Sequence, residues 1–331
     1  MIIQDAGFVK EPKVSVVICA YNRETTISQT IDSVLHQNCD FPFEVIIGDD
    51  CGTDKTRDIC IEYQRKYPKI IKLVLHEENC GAGKNWAILV KESRGEYIAS
   101  CDDDDYWHNE NKIQLQIEHM EANKDYGVLH TDYDVLNVKK NKLIKNYLTK
   151  NKFRIPDYYT MRDIFCGRAN ICASTSCIRK ELIDNFVPLD DYIKYKFGIQ
   201  DWPTWLISSK YSKIGYLPVS TTTYRIGHFA ISNLKSFEKI ENKLSADQVM
   251  YKYLCEMFPS DLDYDEKNYD VYKNNVLLNH AYNRMDLINA KKYANRLKKN
   301  GVFAKKVTFT QNWLLFYVYS ILKRVRNLYY Y

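Results

Sequence analysis

Apolar positions in the first half of the chain form two alternating kinds of segment. Short β-branched apolar runs predict buried strands, and apolar residues three or four positions apart predict amphipathic helices. The predicted strands are VSVVICA (14–20), FEVIIGDD (43–50), IIKLVLH (70–76), EYIASC (96–101) and YGVLHTDYDVL (126–136). The predicted helices cover 25–37, 54–67, 83–93 and 112–123. This alternation predicts a Rossmann-like α/β fold with a mostly parallel central sheet and helices on both faces.

The pattern changes in the second half. Residues 138–154 are polar and basic, which predicts a hairpin or a mobile loop. Beyond residue 233 the apolar spacing is helical, and Gly301 is a plausible helix stop. We therefore expect an α/β domain over 1–232 and a helical C-terminal region over 233–331.

Composition narrows the class of protein. The 331 residues are 45% hydrophobic and 27% charged, as in ordinary globular domains. The ten cysteines contain no C-x-x-C pair, so structural zinc has no ligand framework, and they indicate buried thiols in a reducing cytosol. The first residues lack the features of a signal peptide, and no apolar stretch is long enough to span a membrane. A cytoplasmic protein is expected.

Charge is distributed unevenly. The net charge is +5, yet residues 291–331 carry ten Lys or Arg and no Asp or Glu. Within this tail an apolar and aromatic run, 313–322, precedes three basic residues. Such a segment suits the interface of an anionic membrane, and the alternative is an amphipathic helix docked on the body. The absence of acids favours a peripheral position on the membrane. No recognition motif supports binding to nucleic acid.

Three polar segments follow directly on predicted strands: 19–22, Asp49-Asp50, and the four acids Asp102 to Asp105. In a parallel sheet these strand ends meet at one edge, where ligands bind. Two like charges about 4 Å apart repel by roughly 4 kcal/mol near a protein surface. The four acids therefore call for a positive partner, and a solvated acidic turn is the plainer alternative.

Common aspartate motifs fit the four acids poorly. A calcium-binding EF-hand loop needs a fifth-position oxygen ligand and a sixth-position Gly, where Tyr106 and Trp107 stand. A D-x-D-x-T phosphatase needs Thr or Val at Tyr106, and a nucleotidyltransferase needs a Gly-rich loop after the first strand. What remains is a divalent cation held between protein carboxylates and a diphosphate.

Four motifs in order resemble glycosyltransferase family 2. They are SVVICAYNRETTISQTIDSVLHQ, EVIIGDDCGTDKT, NCGAGKNWA and GEYIASCDDDDYW, and the likeness covers 12 to about 135 and, more thinly, 160–232. The resemblance implies a GT-A fold, a nucleotide-diphosphate sugar donor, Mg²⁺ or Mn²⁺, and inversion at the anomeric carbon.

The resemblance also implies roles for individual residues. Those that contact the donor nucleotide are Cys19 and Tyr21 at the base, Asp50 as the acid that reads uracil, Lys84 near the nucleotide, and Asp103 within the acidic turn. Asp104 would ligate the metal, while Asp102 would bind ribose or a metal water. Asp105 would be secondary. The family's usual D-D-G-S-T-D reads DDCGTD, so the glycine is displaced by one residue, which can alter that turn.

Two later motifs complete the likeness. GIQDWPTWLISSK (198–210) matches the family's acidic motif and makes Asp201 the candidate catalytic base, because a sugar hydroxyl needs a positioned carboxylate to take its proton. Asp201 is also a good helix start. In TYRIGHFAIS (223–232), Arg225 would bind a phosphate and His228 the diphosphate or the metal, although a lone histidine is more often structural.

The sequence thus predicts a metal-dependent inverting glycosyltransferase that moves a sugar, with a UDP-sugar as the expected donor, to a saccharide or lipid-linked acceptor. Its Lys, Asn, Ile and Tyr usage, together with the basic aromatic tail, suggests bacterial surface polysaccharide synthesis. Two alternatives stay open: a nucleotide-sugar-binding protein without transfer activity, and a calcium-binding membrane scaffold.

Overall fold

The computed structural model describes residues 1–153, 155–195, 197–227 and 236–330. The chain divides into two compact units, Met1–Ala230 and Ile231–Tyr331. Each unit is described by itself.

A single sheet organises the first unit. Its strands are β1 (Ile2–Ile3), β2 (Val14–Ala20), β3 (Phe43–Asp49), β4 (Ile71–Leu75), β5 (Tyr97–Ser100), β6 (Tyr106–Trp107), β7 (Tyr126–Asn137), β8 (Lys142–Ile144), β9 (Cys177–Arg179) and β10 (Lys213–Ile226). They lie in the order β1-β4-β3-β2-β5-β9-β7-β10-β6, and β8 pairs with β7. The pairs β4-β3, β3-β2, β2-β5 and β7-β10 are parallel, so the predicted mostly parallel sheet is confirmed.

Helices cover the sheet. They are α1 (Ile27–Leu35), α2 (Thr56–Lys66), α3 (Ala82–Glu92), α4 (Lys112–Ala122), α5 (Tyr147–Lys150), α6 (Met161–Phe165), α7 (Lys180–Phe186), α8 (Leu189–Tyr195) and α9 (Asp201–Tyr211). Alternate residues of β2, such as Val16 and Ile18, share a core with α1, α2 and α4. On the other face a methyl group added at Gly48 would clash with Asn85 and Leu89 of α3. The α/β prediction with helices on both faces is therefore confirmed.

Parallel pairing sets the functional edge. Ala20 of β2 lies beside Asp49 of β3, and β2 pairs in register with β5. β9 is antiparallel to both β5 and β7, so β7 and its parallel neighbour β10 run in the same direction as β5. The carboxyl ends of these strands therefore face one edge.

The ladder between β7 and β10 is irregular. Six residue steps from Leu217 to Thr223 run beside only three steps from Thr131 to Asp134. Extra residues of this kind bend a strand and re-aim its side chains. After the irregular stretch the register is continuous as far as Ile226.

The segment predicted as a hairpin or a mobile loop is a hairpin. β8 pairs antiparallel with the end of β7, where Leu143 lies opposite Leu136. The chain then forms the short helix α5, whose Leu148 is fully buried.

The second unit is helical, as the spacing predicts. Its helices are α10 (Phe237–Met257), α11 (Glu266–Arg284), α12 (Leu287–Lys299), α13 (Lys305–Phe309) and α14 (Trp313–Tyr330). Helix α12 ends just before Gly301, which has a φ of +82° that favours glycine. Phe316 of α14 is buried against Tyr282 of α11, with ring centroids 4.7 Å apart.

An ion pair between buried Glu44 and exposed Arg94 supplies a stability test. The Glu44 carboxylate is fully buried and accepts bonds from Ser15 Oγ at 2.6 Å and Arg94 Nη2 at 2.7 Å. We expect Arg94→Ala to lower the free energy of unfolding by about 2 kcal/mol, because it leaves the buried Glu44 carboxylate without its counter-charge but with its other hydrogen bonds. Urea denaturation measures this.

The matched control is Asp190→Ala, which removes the partner of Lys91 in an exposed ion pair. Exposed pairs contribute little, so a change below about 0.5 kcal/mol is expected. Equal effects of the two substitutions would contradict the special role assigned to the buried Glu44 carboxylate.

Candidate active site

An acidic turn, residues 102–105, follows the carboxyl end of β5. The Asp105 N–H donates to the Asp102 carbonyl oxygen at 3.0 Å and closes the turn. The Asp102 N–H in turn donates to Ser174 Oγ at 2.9 Å. The backbone of the turn is therefore anchored to the short 3₁₀ segment Ala173–Thr175.

Arg23, just beyond β2, brings a positive charge to this turn. Its Nε lies 3.2 Å from Asp103 Oδ1, and its Nη2 lies 3.1 Å from Asp104 Oδ2. The other oxygen of Asp103 accepts the Tyr21 N–H at 2.8 Å. The end of β2 and the turn after β5 are thus joined through charged groups, as expected for segments that share an edge.

Asp105 is a structural member of the turn. It is fully buried, and its carboxylate accepts the Arg225 N–H at 3.0 Å and Ser174 Oγ–H at 2.7 Å. The Arg225 guanidinium donates to the Asp104 carbonyl at 2.7 Å and also to Gln29. Arg225 therefore lies against the acidic turn, and its contact with a phosphate stays a prediction.

The turn holds more negative charge than its arginines neutralise. Burial raises the pKa of Asp102 well above its usual value, and neighbouring carboxylates, Asp105 first, raise it further. Burial raises the pKa of Asp103 to about 7, against the opposing effect of Arg23. Burial also raises the pKa of Asp105 to about 8. A bound cation would relieve this repulsion.

The donor set fits Mg²⁺ or Mn²⁺, which prefer carboxylate oxygen and water. Asp102 and Asp104 supply such oxygens two residues apart. In the part of the chain that the structure describes, no group of three or more His, Cys, Asp or Glu side chains is arranged to hold a metal. The remaining ligands would therefore have to come from water and a bound substrate.

Asp50 lies at the end of β3 and holds a loop. Its Oδ1 accepts the Cys80 N–H at 2.7 Å, and its Oδ2 accepts the Gly81 N–H at 2.9 Å and the Asn79 side-chain amide at 3.1 Å. The loop between β4 and α3 is thereby fixed beside the strand ends. Whether Asp50 also reads a base stays a prediction.

The other residues expected at the nucleotide lie around the same edge. Burial raises the pKa of the Cys19 thiol, and the charges of Asp102, Asp103 and Asp50 raise it further, so Cys19 lies among these acids. Tyr21 is 40% exposed. Lys84 is in the first turn of α3, and within the described residues its ammonium group has no ion-pair partner.

The backbone of Cys51 and the space at Gly52 show how the turn accommodates the displaced glycine of the DDCGTD motif. Cys51 takes the left-handed backbone, with φ +55°, and its N–H donates to Asp49 Oδ2 at 3.3 Å. A non-glycine residue there costs about 1–2 kcal/mol. Gly52 is needed for space, because a methyl group on it would lie 2.6 Å from Asn22 Oδ1.

Asp201 is the first residue of α9, and its Oδ1 accepts the Trp202 N–H at 2.8 Å. It therefore lies at a helix start, at the positive end of the helix dipole. Its charge contributes to the raised pKa of both Asp102 and Cys172. Asp201 is thus close to the acidic turn. His228, the other predicted ligand, lies outside the described residues.

Sequence reasoning missed Arg23, Tyr224 and Cys172. Arg23 carried a usable signal, because it directly follows a strand that ends at the predicted edge. Burial raises the pKa of Tyr224, and Cys172, Asp105 and Asp102 add to this, so these side chains border the turn. Tyr224 and Cys172 come from segments whose placement depends on long-range pairing.

A mostly parallel sheet whose strand ends gather carboxylates around an acidic turn is the arrangement expected of the GT-A fold. The family model described as "Glycosyl transferase family 2" matches residues 15–186, and the chain belongs to this family. The family is one of glycosyltransferases.

A curated relative is the putative teichuronic acid biosynthesis glycosyltransferase TuaG of Bacillus subtilis. The two are 40% identical over 110 residues, which is 33% of this chain and 42% of TuaG. The chain thus spans less than half the length of that relative.

Two solved structures share the fold. S. aureus TarS (residues 1–349) in complex with UDP-GlcNAc has a TM-score of 0.56 and 18% identity, over 93% of this chain and 89% of that one. The mannosyltransferase PcManGT from Pyrobaculum calidifontis, in complex with GDP-Man and Mn²⁺, has a TM-score of 0.53 and 15% identity, over 96% and 88%.

Repulsion within the turn predicts a stabilising substitution. Because the Asp102 pKa is raised on folding, its ionised form opposes folding at pH 8 when no metal is present. We expect Asp102→Asn to raise the free energy of unfolding by about 1 kcal/mol at pH 8. The gain should shrink towards pH 4, where the carboxyl binds its proton in the folded state and increasingly in the unfolded state.

Denaturation in EDTA across this pH range measures the effect. Asp132→Asn is the control, because its buried carboxylate lies outside the turn and accepts hydrogen bonds from the Leu148 N–H and Thr149 Oγ1–H, so its replacement should destabilise the protein. A loss of stability in Asp102→Asn at pH 8 would contradict the repulsion.

Proposed function

We propose that the protein is a metal-dependent inverting glycosyltransferase that moves a sugar from a nucleotide-diphosphate sugar to a hydroxyl group of its acceptor. The observation that carries this is the convergence of Asp102, Asp104 and Asp201 at the carboxyl edge of the sheet. Family membership supplies the reaction class, and this edge supplies groups for each task.

The donor would lie across the strand ends. Tyr21 offers an exposed aromatic face for a base, and Asp50 holds the neighbouring loop in place. UDP-GlcNAc in TarS and GDP-Man in PcManGT support a nucleotide-sugar donor. UDP is the expected nucleotide because Asp50 occupies the position of the family's uracil-reading acid.

Asp104 and Asp102 would hold a Mg²⁺ or Mn²⁺ ion. When bound, the ion neutralises negative charge on a leaving diphosphate. Mn²⁺ in the PcManGT structure supports this choice. Arg23 already pairs with Asp104, so it would share that carboxylate or release it.

Asp201 would activate the acceptor. Its carboxylate accepts the proton of the attacking hydroxyl while that oxygen approaches the anomeric carbon from the face opposite the leaving group. The Trp202 N–H holds one oxygen of the Asp201 carboxylate, and this carboxylate lies close to Asp102. Attack from the opposite face gives inversion.

The acceptor would be a saccharide or a lipid-linked saccharide of a bacterial surface polymer. TuaG, assigned to teichuronic acid biosynthesis, supports this class.

The exposed side of α14 would contact an anionic membrane. Phe316 is buried, while Trp313, Leu314, Val318 and Ile321 are exposed, so docking and interfacial contact use opposite sides of this helix. Among the described helices, none is both long and apolar enough to span a bilayer.

Asp201→Asn tests catalysis. We expect transfer to fall at least ~1,000-fold, because the amide cannot take a proton, while UDP binding in the presence of Mn²⁺ changes less than about threefold. Released nucleotide measured against acceptors, together with titration calorimetry, separates the two effects.

Asp190→Asn, on an exposed carboxylate, is the control and should leave both quantities unchanged. Unaltered transfer in Asp201→Asn would remove it from the reaction. Donor binding without transfer in the native protein would favour a nucleotide-sugar-binding protein, and calcium binding without nucleotide binding would favour a scaffold.

Substitution of exposed α14 residues tests the membrane contact. Leu314→Gln, Val318→Gln and Ile321→Gln combined should reduce flotation with phosphatidylglycerol vesicles by at least ~10-fold, because apolar insertion supplements charge attraction. Val249→Gln with Tyr272→Gln, at exposed positions on α10 and α11, is the control. Equal flotation of both variants would contradict the contact.

A further inference from the structure

Residues 138–153 follow β7 and are strongly basic. We term them the lysine hairpin. It contains no Asp or Glu, and its six lysines are all exposed: Lys139, Lys140, Lys142, Lys145, Lys150 and Lys152. Within the described residues none of their ammonium groups has an ion-pair or hydrogen-bond partner. Other lysines of the same unit do pair, as Lys13 does with Glu96 and Lys180 with Asp184.

Buried carboxylates fix this hairpin in place. Asp132 Oδ1 accepts the Leu148 N–H at 2.9 Å, and its Oδ2 accepts Thr149 Oγ1–H at 2.7 Å. Asp134 Oδ1 accepts the Asn146 N–H at 2.9 Å. The unpaired positive charges are therefore carried on an ordered element.

The hairpin continues the edge that carries the acidic turn. Arg225, whose N–H binds Asp105, lies beside Leu136 in the β7-β10 ladder. The Val138 N–H donates to the Ile226 carbonyl at 2.9 Å. A methyl group added at Gly227 would lie 3.5 Å from Lys139 Cγ, so the first lysine is about 7 Å along the strand from Arg225.

A row of aromatic rings connects the acidic turn to the lysine hairpin. Tyr224, which borders the acidic turn, meets Tyr133 edge to face with centroids 6.2 Å apart. Tyr133 stacks with Tyr147 at 5.5 Å, and Tyr147 contacts Phe153 at 5.9 Å. Tyr224 and Phe153, at the two ends of this row, are exposed, and exposed aromatic rings suit the C–H faces of sugar rings.

We propose that the lysine hairpin binds an anionic acceptor polymer, a saccharide or polyol chain with a carboxylate or phosphate on its repeating units. The proposal rests on the function proposed above. An anionic chain is repelled by the acidic turn, and a cationic surface beside that turn offsets the repulsion and raises the rate of encounter. The six lysines carry well-separated charges, which suit the repeated anionic groups of a polymer better than the single diphosphate of a nucleotide.

A membrane is the weaker occupant for this surface. Interfacial binding needs exposed apolar area in addition to charge. The hairpin directs Ile144, Tyr147 and Leu148 into a cluster with Tyr133 and Val135 of β7. Its outward side is left mainly polar and basic.

The test removes four of the charges in the full-length protein by changing Lys139, Lys140, Lys142 and Lys145 to Gln. The matched control changes four exposed lysines near the amino ends of strands: Lys10, Lys66, Lys69 and Lys124. Both variants lose the same net charge. Each is titrated with linear inorganic polyphosphate, with polygalacturonate, with UDP plus Mn²⁺ and with phosphatidylglycerol vesicles.

We expect the hairpin variant to bind both polyanions at least ~10-fold more weakly than the control at low salt, and its dependence on salt to fall by about three or four counterions. Binding of UDP with Mn²⁺ should stay within twofold of the native protein. Equal polyanion affinity in the two variants would overturn the proposal, as would loss of vesicle binding with polyanion binding retained.

The two proposals fail separately. Absent UDP binding in the native protein contradicts the proposed glycosyl transfer, whatever the polyanions do. Normal UDP binding with no selective loss of polyanion binding contradicts only the role of the hairpin.

Discussion

The site is organised by the pairing of Arg23 with Asp103 and Asp104. Four consecutive carboxylates at the end of a buried strand repel one another, and this arginine lets them stay together in the folded chain. It also ties β2 to the turn after β5, so the contact that offsets the repulsion sets the geometry of the edge. Arg225 adds a second contact through the backbone.

The four acids differ in how much of their charge the protein already satisfies. Asp105 is enclosed by hydrogen bonds, Asp103 is shared by a backbone N–H and a guanidinium, and Asp102 has a strongly raised pKa. This difference in hydrogen bonding and ion pairing distinguishes the carboxylates with a structural role from those that are available to bind a ligand. The turn is thus a structural brace between β2 and β5, and it is also the place where the proposed cation would bind.

Most of the sheet and its edge were predictable, because β2 to β5 are local apolar runs separated by helices. The same pattern predicts that Asp50 and Asp102 share an edge. It does not identify Arg23 as their counter-ion, or Tyr224 as a neighbour of Asp102, because those contacts depend on side-chain direction and on the late strand β10. The hairpin was ambiguous for a similar reason, since Asp132 and Asp134 fix it through tertiary hydrogen bonds.

The irregular ladder between β7 and β10 constrains how this family member can change in length. β10 uses an odd number of additional residues beside Thr131–Asp134, and side chains alternate between faces at every residue. Loss of one of them would exchange the two faces and turn the Arg225 end of the strand away from its carboxylates. We therefore expect insertions and deletions in this stretch to change its length by two residues at a time.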